Sequence, residues 1–170
     1  FVSPAKIEDH SHRRGGYVEQ RYGKGAEAVL LDFKEIKPHE LDENIQLDWK
    51  PNSYIMAYKR LLIRDKIPFG LITNYAILKD DGRPSRKELE QFSVSYILST
   101  YGDVSIVRIE RSFEAVLATE IEGKILKVAA GSPLLLSKSI RYEKNGRRVA
   151  FSKTLYRGDR YKYKINVQVN

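Results

Sequence analysis

The chain has 170 residues, 42% hydrophobic and 31% charged, a balance that suits one soluble globular domain with an N-terminal arm. It contains no cysteine, which excludes disulfides, thiolate metal sites and cysteine nucleophiles. The formal net charge of +8 is spread along the chain and alternates with apolar residues, the pattern of solvated strand faces rather than of a base-reading element.

Residues 1–25 are polar and glycine-rich around HSHRRGG, show no sustained period, and read as an interdomain linker or arm. His10 and His12 form a lone His-x-His, with His39 distant, so no metal site is expected. Residues 26–170 read as one domain. Ala26 to Ile36 has β character, and Pro38 opens a short helix through Ile45. Tyr54 to Ile63 is a strand whose even positions, Tyr54, Met56, Tyr58, Arg60 and Leu62, share a face. Arg64-Asp65-Lys66 reverses it into a partner strand from Ile67 to Leu78, where Pro68 and Gly70 suggest an edge or bulge.

Ser85 and Glu88 have the spacing of a capping box for a short helix. Phe92 to Tyr101 is helical in period, stopped by Gly102, with Ser93 and Ser95 in its first turn. Val104 to Ala118 is a long strand, and Thr119 with Glu122 caps a helix running to Gly131. From Ser132 to Val169 three consecutive antiparallel strands are expected, turning at Asn145-Gly146 and again at Gly158. In the last of them Tyr161, Tyr163, Ile165, Val167 and Val169 share the face expected to be buried. Strands that come mostly as hairpins predict an α+β fold, an antiparallel sheet flanked by short helices.

No catalytic constellation, Walker loop or dinucleotide fingerprint is present, so no catalytic residue, no metal and no cofactor is predicted. Glu110 and Glu114, four apart on one strand, are separated by roughly 13 Å between Cα atoms, too far for one acid–base dyad. Two features admit a ligand. Ala150, Ser152, Thr154 and Tyr156 form a row of small and hydroxylated side chains, either the floor of a pocket or a half-exposed sheet face. Arg60 with Ser93, Ser95 and Tyr156 either makes an anion site at a helix start, or the serines only cap and Arg60 pairs with a surface acid.

The proline-leucine strand, the Asn-Gly turn, the Val-x-Phe-Ser strand and Tyr-Arg-Gly-Asp-Arg-Tyr resemble the C-terminal signature of the UTRA domain. UTRA is the effector-binding half of HutC-type transcriptional regulators in the GntR family. Phe1-Val2 resembles the end of the wing that closes their winged helix-turn-helix, placing the DNA-binding domain outside this chain. The resemblance implies a chorismate-lyase-like fold, a cytoplasmic homodimer, and a small-molecule effector, an anionic metabolite such as a sugar phosphate or a carboxylate. DNA would be met only through the winged helix, and no membrane is involved. The resemblance also assigns effector contacts to Arg60, Ser93, Ser95 and Tyr156. At three further ligand positions it leads to one cation and two carboxylates, where this chain has Leu62, Ile72 and Ala150. Those departures predict a site with apolar walls and one cation, suited to a less polar ligand with a single negative charge. A small enzyme of the same fold acting on an aromatic acid is the alternative.

Overall fold

The computed structural model describes residues 5–9 and 17–170, so Phe1-Val2, His10 and His12 lie outside the described residues. The chain opens with β1 (Ile7–Asp9) and the short helix α1 (Val18–Tyr22), then runs through β2 (Glu27–Ile36), β3 (Ser53–Arg64) and β4 (Ile67–Lys79). Helices α2 (Arg86–Gln91) and α3 (Val94–Tyr101) follow, then β5 (Ile106–Leu117), α4 (Glu120–Leu126), β6 (Pro133–Glu143), β7 (Arg148–Arg157) and β8 (Tyr161–Tyr163). Six strands make one sheet in the order β2-β3-β4-β7-β6-β5, every neighbouring pair antiparallel. The fold is α+β, as the hairpin pattern requires. No helix among the described residues is long and apolar enough to cross a membrane.

Both capping boxes form: Ser85 accepts from the Glu88 amide, and Thr119 from the Glu122 amide. The β3–β4 turn places Asp65 and Lys66 at positive φ, and the ladder slips at Phe69, pairing Leu62 with Gly70 but Ile63 with Pro68. The bulge expected near Pro68 and Gly70 is therefore present. One face of the sheet packs α2 and α3 through Leu89, Val94, Ile97 and Leu98, and α1 through Val18 and Tyr22. The opposite face packs α4 through Leu126 against Leu71, Leu136 and Leu155.

Four expectations are corrected. The helix from Pro38 is a single 3-10 turn, Pro38–Glu40, because the Asp42 carboxylate accepts the Asn44 amide and turns the chain away. The helix from Phe92 starts instead at Val94, since Phe92 ends α2 and bridges to Tyr17. Helix α4 stops at Leu126, where Lys127 takes a left-handed conformation and the Val128 amide bonds back to the Gly123 carbonyl. The third strand of the C-terminal meander does not join the sheet. Strand β7 already has β4 on one edge and β6 on the other, so β8 pairs in parallel with β1, and Ile165, Val167 and Val169 are exposed. That pairing puts part of the segment read as an arm against the sheet domain, with Ile7, Val18 and Tyr22 buried.

The loop before β3 is clamped to β7 by Asp48, which accepts the Arg148 amide at 2.8 Å and its Nε and Nη2 at 2.9 and 2.7 Å. Those bonds from Arg148, side chain first, lower the Asp48 carboxyl to about 2. A depressed carboxyl stabilises the fold above its unfolded value and loses that contribution as pH falls through the folded one. Asp48→Asn should lower the thermal midpoint at neutral pH and flatten its decline from roughly pH 4 to pH 2. Melting curves across that range check it.

Candidate functional site

Alternation along a strand sends every second side chain to one face, and the ladders then align those side chains into rows. One row runs Tyr58, Asn74, Ser152, Ser139, Arg111 across five strands; the next runs Arg60, Ile72, Thr154, Ser137. All of these except Tyr58 line the floor of a cavity of about 480 Å³, roofed by the start of α3 and by α1. Of the β7 row, Ser152 and Thr154 are part of this floor, while Ala150 and Tyr156 are buried beside it.

Arg141 is the centre of this site. It is only 5% exposed, and it donates from Nε to Ser95 Oγ at 3.1 Å and from Nη1 to Ser152 Oγ at 3.1 Å. Ser139 Oγ lies 3.5 Å from the same Nη1. Among the described residues no carboxylate lies within ion-pair distance of it. Burial, and then repulsion from Arg111 and Arg21, lower its pKa to about 9, so it stays charged at neutral pH.

Arg60, also 5% exposed, donates to the Glu90 and Phe92 carbonyls, which brings its guanidinium to the start of α3. Ser93 caps α3 by accepting the Tyr96 amide at 3.2 Å, and both Ser93 and Ser95 line the cavity. No surface acid pairs with Arg60 among the described residues.

At the other end stands Arg21 of α1. Its Nε and Nη2 grip Asp9 side-on at 2.9 and 3.0 Å, and Nη2 reaches Tyr156 Oη at 3.3 Å. Tyr161 donates to the same Asp9 at 2.6 Å, stacks on Tyr156 with centroids 3.6 Å apart, and Tyr156 shares a 2.6 Å bond with Tyr22. Burial alone would raise the Asp9 carboxyl, but Arg21 and Tyr161 hold it below its ordinary value.

Of the seven residues predicted from sequence, Arg60, Ser93, Ser95 and Ile72 line the cavity. Tyr156, Leu62 and Ala150 do not. Tyr156 and Leu62 sit one pair further along the ladders, packed with Phe69 and Tyr22, and Ala150 is buried in the cluster under α2 and α3. The expectation of apolar walls with one cation is corrected too. Arg21, Arg60, Arg111 and Arg141 all line the cavity, with Asn74 and four floor hydroxyls. Sequence reasoning missed Arg141, although counting back from the Asn145-Gly146 turn pairs it with Ala150 and pairs Ser139 with Ser152. Arg21, Asn74 and Arg111 had no comparable local signal.

The UTRA domain family model matches residues 21–162. The chain belongs to the UTRA domain family, the ligand-binding effector domains of GntR-type regulators. It is 27% identical over 165 residues to the HTH-type transcriptional repressor NagR of Bacillus subtilis (strain 168), spanning 96% of this chain and 67% of that protein. In fold it is similar to PhnF from Mycobacterium smegmatis, with a TM-score of 0.76 and 21% identity over 99% of this chain and 75% of that one. The ligand-binding domain of a GntR-family regulator from Bordetella bronchiseptica gives a TM-score of 0.68 at 22% identity, over 84% of this chain and 91% of that one.

Removing one partner of a buried ion pair strands the other charge. Asp9→Asn is expected to cost about 3 kcal/mol in denaturant unfolding. Arg21→Met should cost a similar amount, and the double variant about as much as either alone, because the pair acts as a unit.

Proposed function

We propose that this domain senses a small anionic effector in the arginine-lined cavity and acts within a homodimeric regulator that meets DNA through a separate winged-helix domain. The observation that carries the reading is Arg141: a buried guanidinium whose protein partners are all neutral hydroxyls, at a cavity wall. A buried cation without a carboxylate is costly, and an anionic ligand supplies the missing charge. Ser93 and Ser95 at the start of α3 and Arg60 on β3 face the same space. A phosphate or a carboxylate fits this donor set.

Sensing is favoured over catalysis by the same lining. Among the described residues, none facing the cavity is Asp, Glu or His, so no general acid or base of ordinary pKa addresses a ligand there. Glu110 and Glu114 are engaged elsewhere, Glu110 by Arg108 and Tyr142 and Glu114 by Lys138.

Arg141→Met keeps the side-chain volume and removes the unpaired charge. It should raise the thermal midpoint of the ligand-free protein and abolish stabilisation by inorganic phosphate. A thermal-shift titration reads both; retention of the phosphate response would refute the reading. The domain alone should sediment as a dimer and show only weak, non-selective DNA binding that collapses between low and physiological salt. Salt-resistant, sequence-selective binding would contradict it.

A further inference from the structure

Hydrogen-bond polarity in the cavity narrows the effector, on the reading that the cavity binds one. Arginine only donates. Ser95 and Ser152 therefore use an oxygen lone pair on Arg141, and their protons must point elsewhere. The Ser152 proton goes to Asn74 Oδ1 at 2.6 Å. That fixes the Asn74 amide with Nδ2 as its other end, a donor with no partner on a side chain only 1% exposed. Ser93 likewise accepts the Tyr96 amide, so its own proton is free for the cavity it lines. Arg60 Nε is a second buried donor without a partner.

The lining thus offers donors from both sides and no carboxylate, among the described residues, to receive a ligand amine. The two arginines without carboxylate partners stand apart. Arg60 is on β3 and Arg141 on β6, with β4 and β7 between them. Three strand spacings across the sheet, with Arg141 four residues along β6 from the Ser137 that shares Arg60's row, place their backbones roughly 20 Å apart. Arg60 is tethered at the Phe92 carbonyl and Arg141 at Ser95 and Ser152, so the guanidiniums hold separate stations along the cavity.

We infer that the effector carries two separate acidic groups, one for Arg141 with Ser95 and one for Arg60 with Asn74, and no cationic amine. A phosphorylated carboxylic acid or a dicarboxylate has this chemistry; an amino-sugar phosphate does not. One acid is stripped of water at each arginine, and the body between them crosses the floor from the Ile72–Thr154 pair beside Arg60 to the neighbouring Asn74–Ser152 pair beside Arg141.

Calorimetric titration of this chain with matched probes tests it. Phosphoglycerate and glycerol phosphate differ in one carboxylate, glutarate and butyrate likewise, and glucosamine phosphate adds an amine. In each matched pair the diacid should bind at least about tenfold tighter, and glucosamine phosphate should bind more weakly than phosphoglycerate by a similar factor. In Arg60→Gln the advantage of phosphoglycerate over glycerol phosphate should vanish. Asn74→Asp, a change of one atom, should narrow that advantage and relieve the penalty on the amine. Equal binding within both pairs, or tightest binding by glucosamine phosphate, overturns the diacid but leaves the anion site standing. No binding by any probe overturns both.

Discussion

Strand register is the constraint on which this molecule depends. Strands β3 to β7 contribute to the cavity only alternate side chains, and a slip of one residue would turn them all to the far face. The pairing of Asn74 with Ser152, and of Ser152 with Ser139, puts an amide and two hydroxyls side by side. The same ladders put Leu71, Leu136 and Leu155 on the other face, under α4. Burial of those leucines therefore holds the polar floor in place. A register that exposed the serines to the wrong side would also expose the leucines, and the apolar loss would be several kcal/mol.

The cavity ends are closed by a different kind of contact. Asp9 is fully buried, held by Arg21 and Tyr161, and Tyr161 lies flat on Tyr156. This cluster ties β1, α1 and β8, which lie outside the main sheet, to its strand β7. Arg21 serves two neighbours at once. Its Nε–Nη2 edge holds Asp9, while 27% of the side chain remains exposed where it lines the cavity. The segment before the sheet is in this way part of the cavity wall rather than a bystander to it.

At Arg141 the fold carries a stability cost. Well-packed apolar side chains would serve the sheet better than a guanidinium repelled by Arg111 and Arg21. The hydroxyls of Ser95, Ser139 and Ser152 around it offset part of that cost by accepting from the guanidinium. The departures at Leu62 and Ala150, which pointed to a less polar ligand, lose that meaning because neither side chain reaches the cavity.

Much of this was legible in the sequence because it is local. Caps at Ser85 and Thr119, the reversals at Asp65-Lys66 and Asn145-Gly146, and the bulge after Pro68 each depend on a few neighbouring residues, and period-2 alternation follows from strand geometry alone. That Arg60, Ser93 and Ser95 line the cavity was legible because a hairpin face and a helix start can be read from one segment. The sequence determined, then, the class of fold, its family and part of the cavity lining. Tertiary structure decided which edges were free, so that β8 went to β1 instead of β7. It also decided which cations meet, since Arg21, Arg60, Arg111 and Arg141 lie on four separate elements and are gathered only by long-range pairing. Short-range sterics and hydrogen bonding set local conformation residue by residue, whereas the polarity of a cavity is a sum over elements distant in sequence, and only the packed sheet performs that sum.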